Sequence, residues 1–464
     1  MRLKFFVSSS FLLLSACRSV PRPSLSAESL DPWIEKQNRI SWTNLQKNIS
    51  PAEPKAAGQG VPLKGIVVAG LSRKDPDYYF HWVRDSANVM RTLVEQSDAD
   101  PQLLKAQIRD FLQLSAHLQK VASPYGMGEP RYTVTGQADT LPWSRPQYDG
   151  PALRALAVMQ FLDWLEKHPD KELHTLALQV LRTDLDYIES IWQARGFDMW
   201  EEYKADNYNT RLTQLVALER GAHWFPSSRY LQSAAQLEKL LNDHWDPARG
   251  FLRSQLAIEA TDGYTTKKTD LDSAVIVTVM DVDRRFVSHS VLDERVQATV
   301  QVLEDLFRQT YPINQRSDLG VASGRYQGDS YFGGNPWYLI TAYYAQFYFR
   351  LAKRLRQGAA FTVSKINLKF AQSLLGAKVQ IGLVLQPGEA QHQELVQQLL
   401  RRGEDVLQRI RFHTPADGIF YEQFDKVTGR PVSSKGLGWA YSTFLAATRE
   451  RAQALSARPQ VSEK

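Results

Sequence analysis

Residues 151–194 read PALRALAVMQFLDWLEKHPDKELHTLALQVLRTDLDYIESIWQA, and the contrast between the two halves of this stretch decides the fold. The first half, 151–167, is crowded with Ala, Leu, Val and aromatics, as in a helix buried all round. The second, 172–194, interleaves its Leu and Ile with Glu, Arg and Gln, as in a helix with one face in water. Pro151, just after Asp149-Gly150, suits a first helical turn.

The same helical period runs through the chain from Pro32 onward, for example in Leu103, Leu104, Ile108, Phe111, Leu112 and Leu118. It predicts helices at 33–49, 86–97, 103–122, 151–167, 172–194, 208–223, 228–245, 270–281, 290–310, 336–356, 390–411 and 437–453, with a further one at 363–376. Pro336 after Asn335 and the pair Ser227-Ser228 read as further helix starts. The helices beginning at 86, 151, 208, 270, 336 and 437 are the apolar ones, and those between them carry more charge. Six alternations of a buried and an amphipathic helix close into a double ring, so the predicted fold is all-α, an (α/α)6 barrel with six inner and six outer helices. No sequence repeat of solenoid length is visible, which argues against a repeat scaffold.

Composition narrows the function. The 464 residues are 43% hydrophobic and 23% charged, ordinary for a folded chain. The net charge of +6 comes from 56 basic and 50 acidic residues spread evenly, without the basic stripe that nucleic-acid binding requires. The nine histidines are scattered with no ligand spacing, so neither a catalytic metal nor another cofactor is expected. Cys17 is the single cysteine, which rules out an internal disulfide and leaves stability to the core.

The segments richest in Trp, Tyr, Arg and acids, 77–85, 143–149, 198–203, 325–337 and 421–439, all precede or begin inner helices, so they gather at one rim of the barrel. Pyranose rings need flat aromatics against their C–H faces and charged groups against their hydroxyls. Trp82, Trp143, Trp200, Trp337 and Trp439 supply the first, each beside an Arg, an acid or Asn. Asp198-Met199-Trp200-Glu201-Glu202 holds three carboxylates in five residues, and crowding of that kind raises at least one pKa. Glu201 or Glu202 therefore qualifies as a general acid. A second carboxylate must reach the other face of the sugar, and Tyr421-Glu422-Gln423-Phe424-Asp425 sits where it can face the first across the ring.

In order along 77–445, these motifs resemble the glucoamylases, glycoside hydrolase family 15. The resemblance rests on Asp77-Tyr78-Tyr79-Phe80-His81-Trp82-Val83-Arg84-Asp85, Gly128-Glu129-Pro130, Trp143-Ser144-Arg145-Pro146-Gln147-Tyr148-Asp149-Gly150 and Asp198-Met199-Trp200-Glu201-Glu202. It continues through Gly324-Arg325-Tyr326, Gly334-Asn335-Pro336-Trp337, Glu422-Gln423-Phe424-Asp425-Lys426 and Trp439-Ala440-Tyr441. It implies that Glu201 is the general acid and Glu422 the base that activates water, giving β-glucose in one displacement. It further implies that Arg84 and Asp85 clamp the terminal glucose, that Tyr78 and Trp82 wall it, and that Trp143, Glu202 and Arg325 reach the next sugar. Asp198, Trp200, Trp337 and Trp439 complete the expected binding set. A blind pocket of this type acts from chain ends on α-glucan oligosaccharides.

The departures from the family pattern are Phe80, His81 and Tyr148, expected to reshape outer subsites. With only a short polar tail after 453, no starch-binding module is expected, which favours soluble maltooligosaccharides over granular starch. The resemblance leaves room for another α-glucoside, such as isomaltose, dextran ends or trehalose. A non-catalytic sugar-binding lipoprotein is the rival outside enzymes, and it has no need of both acids.

At the start of the chain, Arg2 and Lys4 precede the apolar run Phe5 to Leu14, too short for a comfortable membrane span. Leu14-Ser15-Ala16-Cys17 resembles a bacterial lipobox. That resemblance implies a signal peptide over 1–16, a lipidated Cys17 contacting the bilayer, and a Ser/Pro-rich tether over 17–31. The catalytic domain is then expected over 32–455 and a polar tail over 456–464, in an exported, membrane-anchored monomer.

Overall fold

The computed structural model describes residues 29–51, 60–96, 100–258 and 267–458. The expected signal peptide, Cys17, nearly all of the tether and most of the tail lie outside the described residues. Thirteen α-helices appear among those described. They are α1 (Leu30–Asn48), α2 (Val83–Glu95), α3 (Pro101–Leu118), α4 (Gly150–Leu165), α5 (Lys171–Ile191), α6 (Tyr208–Trp224), α7 (Ser228–Asn242), α8 (Ala274–Val282), α9 (Glu294–Thr310), α10 (Tyr338–Arg356), α11 (Leu368–Leu375), α12 (Ala390–His413) and α13 (Gly438–Ser456).

Helix α2 packs on α4, α4 on α6, α6 on α8, α8 on α10, α10 on α13, and α13 returns to α2, closing an inner ring of six. Outside it, α1, α3, α5, α7, α9 and α12 form the second layer, with α11 wedged between α9 and α12. The architecture is the (α/α)6 barrel. Its physical basis is the contrast in the opening stretch: α4 buries every residue but Gln160 and Asp163, whereas α5 buries one stripe through Leu173, Ala177, Val180, Leu181, Leu185 and Ile188. Each fully buried Leu or Ile of that stripe contributes about 1.5–3 kcal/mol. No helix among the described residues is long and apolar enough to cross a membrane.

Several helix starts follow their capping chemistry. Asp100 accepts from the N–H groups of Gln102 and Leu103, Asp170 from Leu173, and Ser227 from Tyr230. Two inner helices begin later than their apolar pattern. At α8, Asp272 bridges Tyr326 and caps Ala274, so helix waits until 274. At α10, Pro336 and Trp337 are drawn into extended pairing: Pro336 accepts from Phe424 N and Trp337 N donates to Ser323. Pro336 is thus not a first-turn proline, and Asn335 is no cap, since its side chain bonds Phe332, Gln423 and Lys426 instead.

Short antiparallel strands at the rim, which helical periodicity does not announce, stiffen the loops. His81–Trp82 pairs with Arg131–Tyr132, Gly196–Phe197 with Lys204–Asn207, and Tyr421–Phe424 with Pro431–Lys435.

Candidate active site

The rim loops enclose a cavity of about 700 Å³ lined by residues from 69–85, 131–144, 199–202, 325–337, 422 and 437–439. Every segment singled out in the sequence contributes to it. Among the expected residues, Tyr78, Trp82, Arg84, Asp85, Trp143, Trp200, Glu201, Glu202, Arg325, Trp337, Glu422 and Trp439 line it.

Glu201 stands in the turn between strands Gly196–Phe197 and Lys204–Asn207, with φ of 67°, a left-handed conformation costly for a residue with a Cβ. Asp198 holds that turn. Its buried carboxylate accepts from the N–H groups of Glu202 at 2.8 Å and Tyr203 at 3.2 Å, and its carbonyl accepts from Glu201 N at 2.9 Å. Asp198 is therefore directed beneath the turn, not into the cavity, because backbone donors outcompete solvent for it. Burial pushes its pKa up to about 7, with Glu202 adding to the rise and Lys267 opposing it. The acidic cluster thus behaves as the sequence suggested, though desolvation outweighs crowding as the cause.

The carboxylate of Glu201 accepts from four N–H donors. Oε1 takes Trp82 Nε1 at 2.9 Å, Gln147 Nε2 at 3.1 Å and an Arg84 guanidinium nitrogen at 3.2 Å. Oε2 takes only Trp143 Nε1, at 2.8 Å. Ser144 Oγ donates to the Glu201 carbonyl, fixing the backbone. Arg84 and Asp85 occupy the first turn of α2, so the start of an inner helix delivers them to the cavity floor. Arg84 also bonds Asp149 at 2.9 Å and Gln147 at 3.1 Å, while its Nε, 3.9 Å from Asp85, has no hydrogen-bond partner. Burial raises Asp85 to about 7 despite the opposing Arg84 charge.

Glu422 comes from another wall. It lies on strand Tyr421–Phe424 where the register with Pro431–Lys435 shifts between Tyr421 and Gln423, the kind of irregularity that re-aims a side chain. Its Oε1 accepts from Tyr78 OH at 2.7 Å, and Tyr78 OH in turn lies 2.7 Å from Tyr331 OH. Its Oε2 accepts from Ser433 Oγ, and Ser433 too is left-handed, at φ 66°. Burial raises Glu422 to about 7, and the Ser433 and Tyr78 hydrogen bonds pull it back down.

Next to the Glu201 turn, Arg325 grips Asp329 through Nε at 2.8 Å and a terminal nitrogen at 2.5 Å, and that nitrogen also lies 3.0 Å from Glu202. Tyr326 OH donates to Glu202 at 2.5 Å, and burial raises Glu202 above the usual carboxylate range against the Arg325 charge. The guanidinium sits among the rings of Trp200, Trp337 and Tyr331, so the charge is fixed on an aromatic platform. Trp200 Nε1 is tied to Asp272 at 3.0 Å and Trp439 Nε1 to Tyr343 OH at 2.7 Å, whereas buried Trp337 Nε1 has no partner.

Tyr331, Ser433, Gln147, Asp149 and Asp329 bond the expected residues without being among them, although all fall inside the segments marked by composition. Of the three departures, only Phe80 lines the cavity. His81 is buried behind it, its Nδ1 accepting from Val67 N, because the strand His81–Trp82 turns alternate side chains to opposite faces. Tyr148 also turns away, while Gln147 bonds Glu201, and packs near Tyr187 with its ring beside Gly128 and Gly196. Neither His81 nor Tyr148 shapes a subsite of this cavity. Among the described residues no cluster of His, Cys, Asp and Glu has metal-binding form.

A family model described as glycosyl hydrolases family 15 matches residues 41–449. Glucoamylase-1 of Schizophyllum commune is 28% identical over 466 aligned residues, covering 97% of this chain and 78% of the relative. The solved glucoamylase of Hormoconis resinae superposes with a TM-score of 0.82 at 29% identity, covering 94% of this chain and 77% of that one. The solved glucoamylase of Saccharomycopsis fibuligera gives 0.81 at 26% identity, covering 92% and 96% respectively.

Proposed function

The chain belongs to glycosyl hydrolases family 15 and is a glycoside hydrolase of the glucoamylase type, and from that premise we propose that Glu201 and Glu422 carry an inverting release of β-D-glucose from the non-reducing ends of α-1,4-glucans. One observation carries the assignment: two carboxyl groups on different walls of one aromatic cavity have unlike hydrogen-bond surroundings. Glu201 Oε1 is saturated by three donors, whereas Oε2 has one and keeps room for a proton. Glu422 meets two hydroxyl donors and is held near 7, where a base is most effective.

Glu201 gives the Oε2 proton to the glycosidic oxygen as the bond to the anomeric carbon breaks. Glu422 takes a proton from a water, whose oxygen bonds that carbon from the opposite face. The products are β-glucose and a chain one unit shorter; Glu201 leaves ionised and Glu422 protonated, and exchange with solvent resets both. Arg84 and Asp85 are the polar groups proposed to fix the terminal glucose, both lining the cavity. Tyr78 and Trp82 wall that sugar, and Trp143, Glu202 and Arg325 meet the next one, with Trp200, Trp337 and Trp439 as apolar lining. Asp198 acts through the turn it holds.

The test compares glucose release from maltotriose, isomaltose and trehalose by the parent protein with that by Glu201→Gln and Glu422→Gln. Maltotriose cleaved fastest, with both variants crippled, supports the reading; a faster rate on isomaltose or trehalose moves the linkage, and an active variant refutes the residue assignment. Soluble maltooligosaccharides are the proposed natural substrates. Export, attachment to a bilayer through lipidated Cys17 and a monomeric state are also proposed; Leu14-Ser15-Ala16-Cys17 supports the first two. Metabolic labelling with a fatty acid, lost in Cys17→Ser, checks the anchor.

A further inference from the structure

Lys267 does not line the catalytic cavity, yet its side chain is sealed from solvent, with Nζ 2.5 Å from Asp272 Oδ2 and 3.2 Å from Gln255 Oε1. A desolvated ammonium is costly even when paired, and a methionine fills a similar space without that cost. The charge therefore calls for a reason, and its neighbours supply one.

Three of those neighbours each hold a different residue of the 198–203 turn. Asp272 accepts from Trp200 Nε1 with both oxygens, at 3.0 and 3.1 Å. Tyr326, whose ring centroid lies 4.5 Å from Nζ, donates its hydroxyl to Glu202 at 2.5 Å. Tyr203, with its ring centroid 5.5 Å from Nζ, closes the turn by accepting from Asp198 N at 2.8 Å. Both rings are within the roughly 6 Å over which a ring face attracts a cation. Trp200 and Glu202 stand on either side of Glu201, whose left-handed backbone at φ 67° persists only if its surroundings hold it. The contacts of one buried cation thus reach both flanks of the strained residue.

We propose that Lys267 is a positioning residue, bracing Trp200 and Glu202 from behind the turn so that Glu201 is held at the glycosidic oxygen. The inference rests on the roles of Glu201 and Glu202 proposed above. The charge has a second effect. Burial favours the protonated forms of Asp198 and Glu202, and Lys267 opposes it at both. Glu202 is faced by Arg325, Tyr326, Lys267 and Asp329, and of these only Asp329 favours the proton.

The test combines Lys267→Met with Asp272→Asn in one chain, which removes both charges together and leaves neither buried alone. The new amide oxygen still accepts from Trp200, so a lysine that merely neutralises Asp272 becomes dispensable. Lys267→Gln, whose amide still donates to Asp272, is the second variant. Steady-state kinetics on maltotriose across pH, with thermal melts alongside, reads the result. The double variant is expected to melt close to the parent, yet with kcat lower by about tenfold or more as Glu201 loses its fixed position. Its KM is expected to rise further above the parent's as pH falls, because Glu202 takes a proton that Lys267 opposed. Lys267→Gln shows the same losses. Parent kinetics in either folded variant overturns the proposal, as does failure of both to fold, which leaves Lys267 a structural role alone. A slow double variant beside a fully active Glu201→Gln upholds the brace and refutes Glu201 as the acid.

Discussion

Removing the Ser433 hydroxyl probes Glu422, the proposed base, without touching it. Ser433 Oγ donates to Glu422 Oε2, and Glu422, raised to about 7 by burial, is held from rising further by this bond and by Tyr78. A hydrogen bond to a charged group is worth about 1.5–3 kcal/mol, and one pKa unit is about 1.4 kcal/mol. Ser433→Ala therefore lifts Glu422 by about one to two units. The base must be ionised to work, so activity is lost as pH falls through its pKa, and a higher pKa moves the acid limb of kcat/KM to higher pH. At a pH one unit below the parent limb, the variant is slower by about tenfold or more. The assay is initial glucose release from maltotriose across the pH range. Ser433→Gly serves as a control: at φ 66° glycine is unstrained, so it gives the same shift with a more stable fold. An acid limb that stays in place, or moves to lower pH, in both variants refutes the reasoning.

Other outcomes follow from the same contacts. Glu201→Gln lowers kcat by about 10²–10³ or more, because the leaving oxygen loses its proton donor; steady-state kinetics on maltotriose checks this. Asp198→Ala frees the N–H groups that hold the left-handed Glu201 turn, so kcat falls by about tenfold or more with a smaller change in KM, and a purely KM effect speaks against a positioning role. Gly403→Ala sets a Cβ 2.6 Å from the Phe349 ring where α12 crosses α10, costing about 1–3 kcal/mol in denaturant unfolding. His81, His244 and His413 are lowered by burial to about 3 and His289 to about 4, while Asp85, Asp198 and Glu422 rise to about 7 and Asp281 to about 6. The histidines withdraw stability as pH falls below about 6.5, and the acids withdraw it as pH rises above about 4, at about 1.4 kcal/mol per unit each, so the two sets oppose. Thermal melts are expected to vary little between about pH 4.5 and 6, and a steep monotonic trend there contradicts the balance.

The helices were legible because burial repeats on the helical period, and each predicted helix, the short one near 368–375 included, has an observed counterpart. Where the sequence misled, a distant partner decides the local conformation. Pro336 looks like a first-turn residue until Phe424 pairs with it, and Asp272 looks helical until Tyr326 bridges it. The site shows the same division. Its aromatic and acidic segments announced themselves by composition, but the Tyr78 to Glu422 bond joins residues 344 apart, and no local pattern carries it. Ser433 and Tyr331 are ordinary residues until that pairing brings them to a carboxylate. Tyr148 and His81 needed the direction of a side chain, which the pleat of a short strand and the close approach of Gly128 and Gly196 determine.

A single displacement by Glu201 and Glu422 fixes which anomer of glucose forms first. Proton NMR of maltotriose mixed with the protein, followed from the earliest seconds before mutarotation, reads that anomer. β-Glucose is expected first, decaying to the equilibrium mixture; α-glucose first rules out the single displacement.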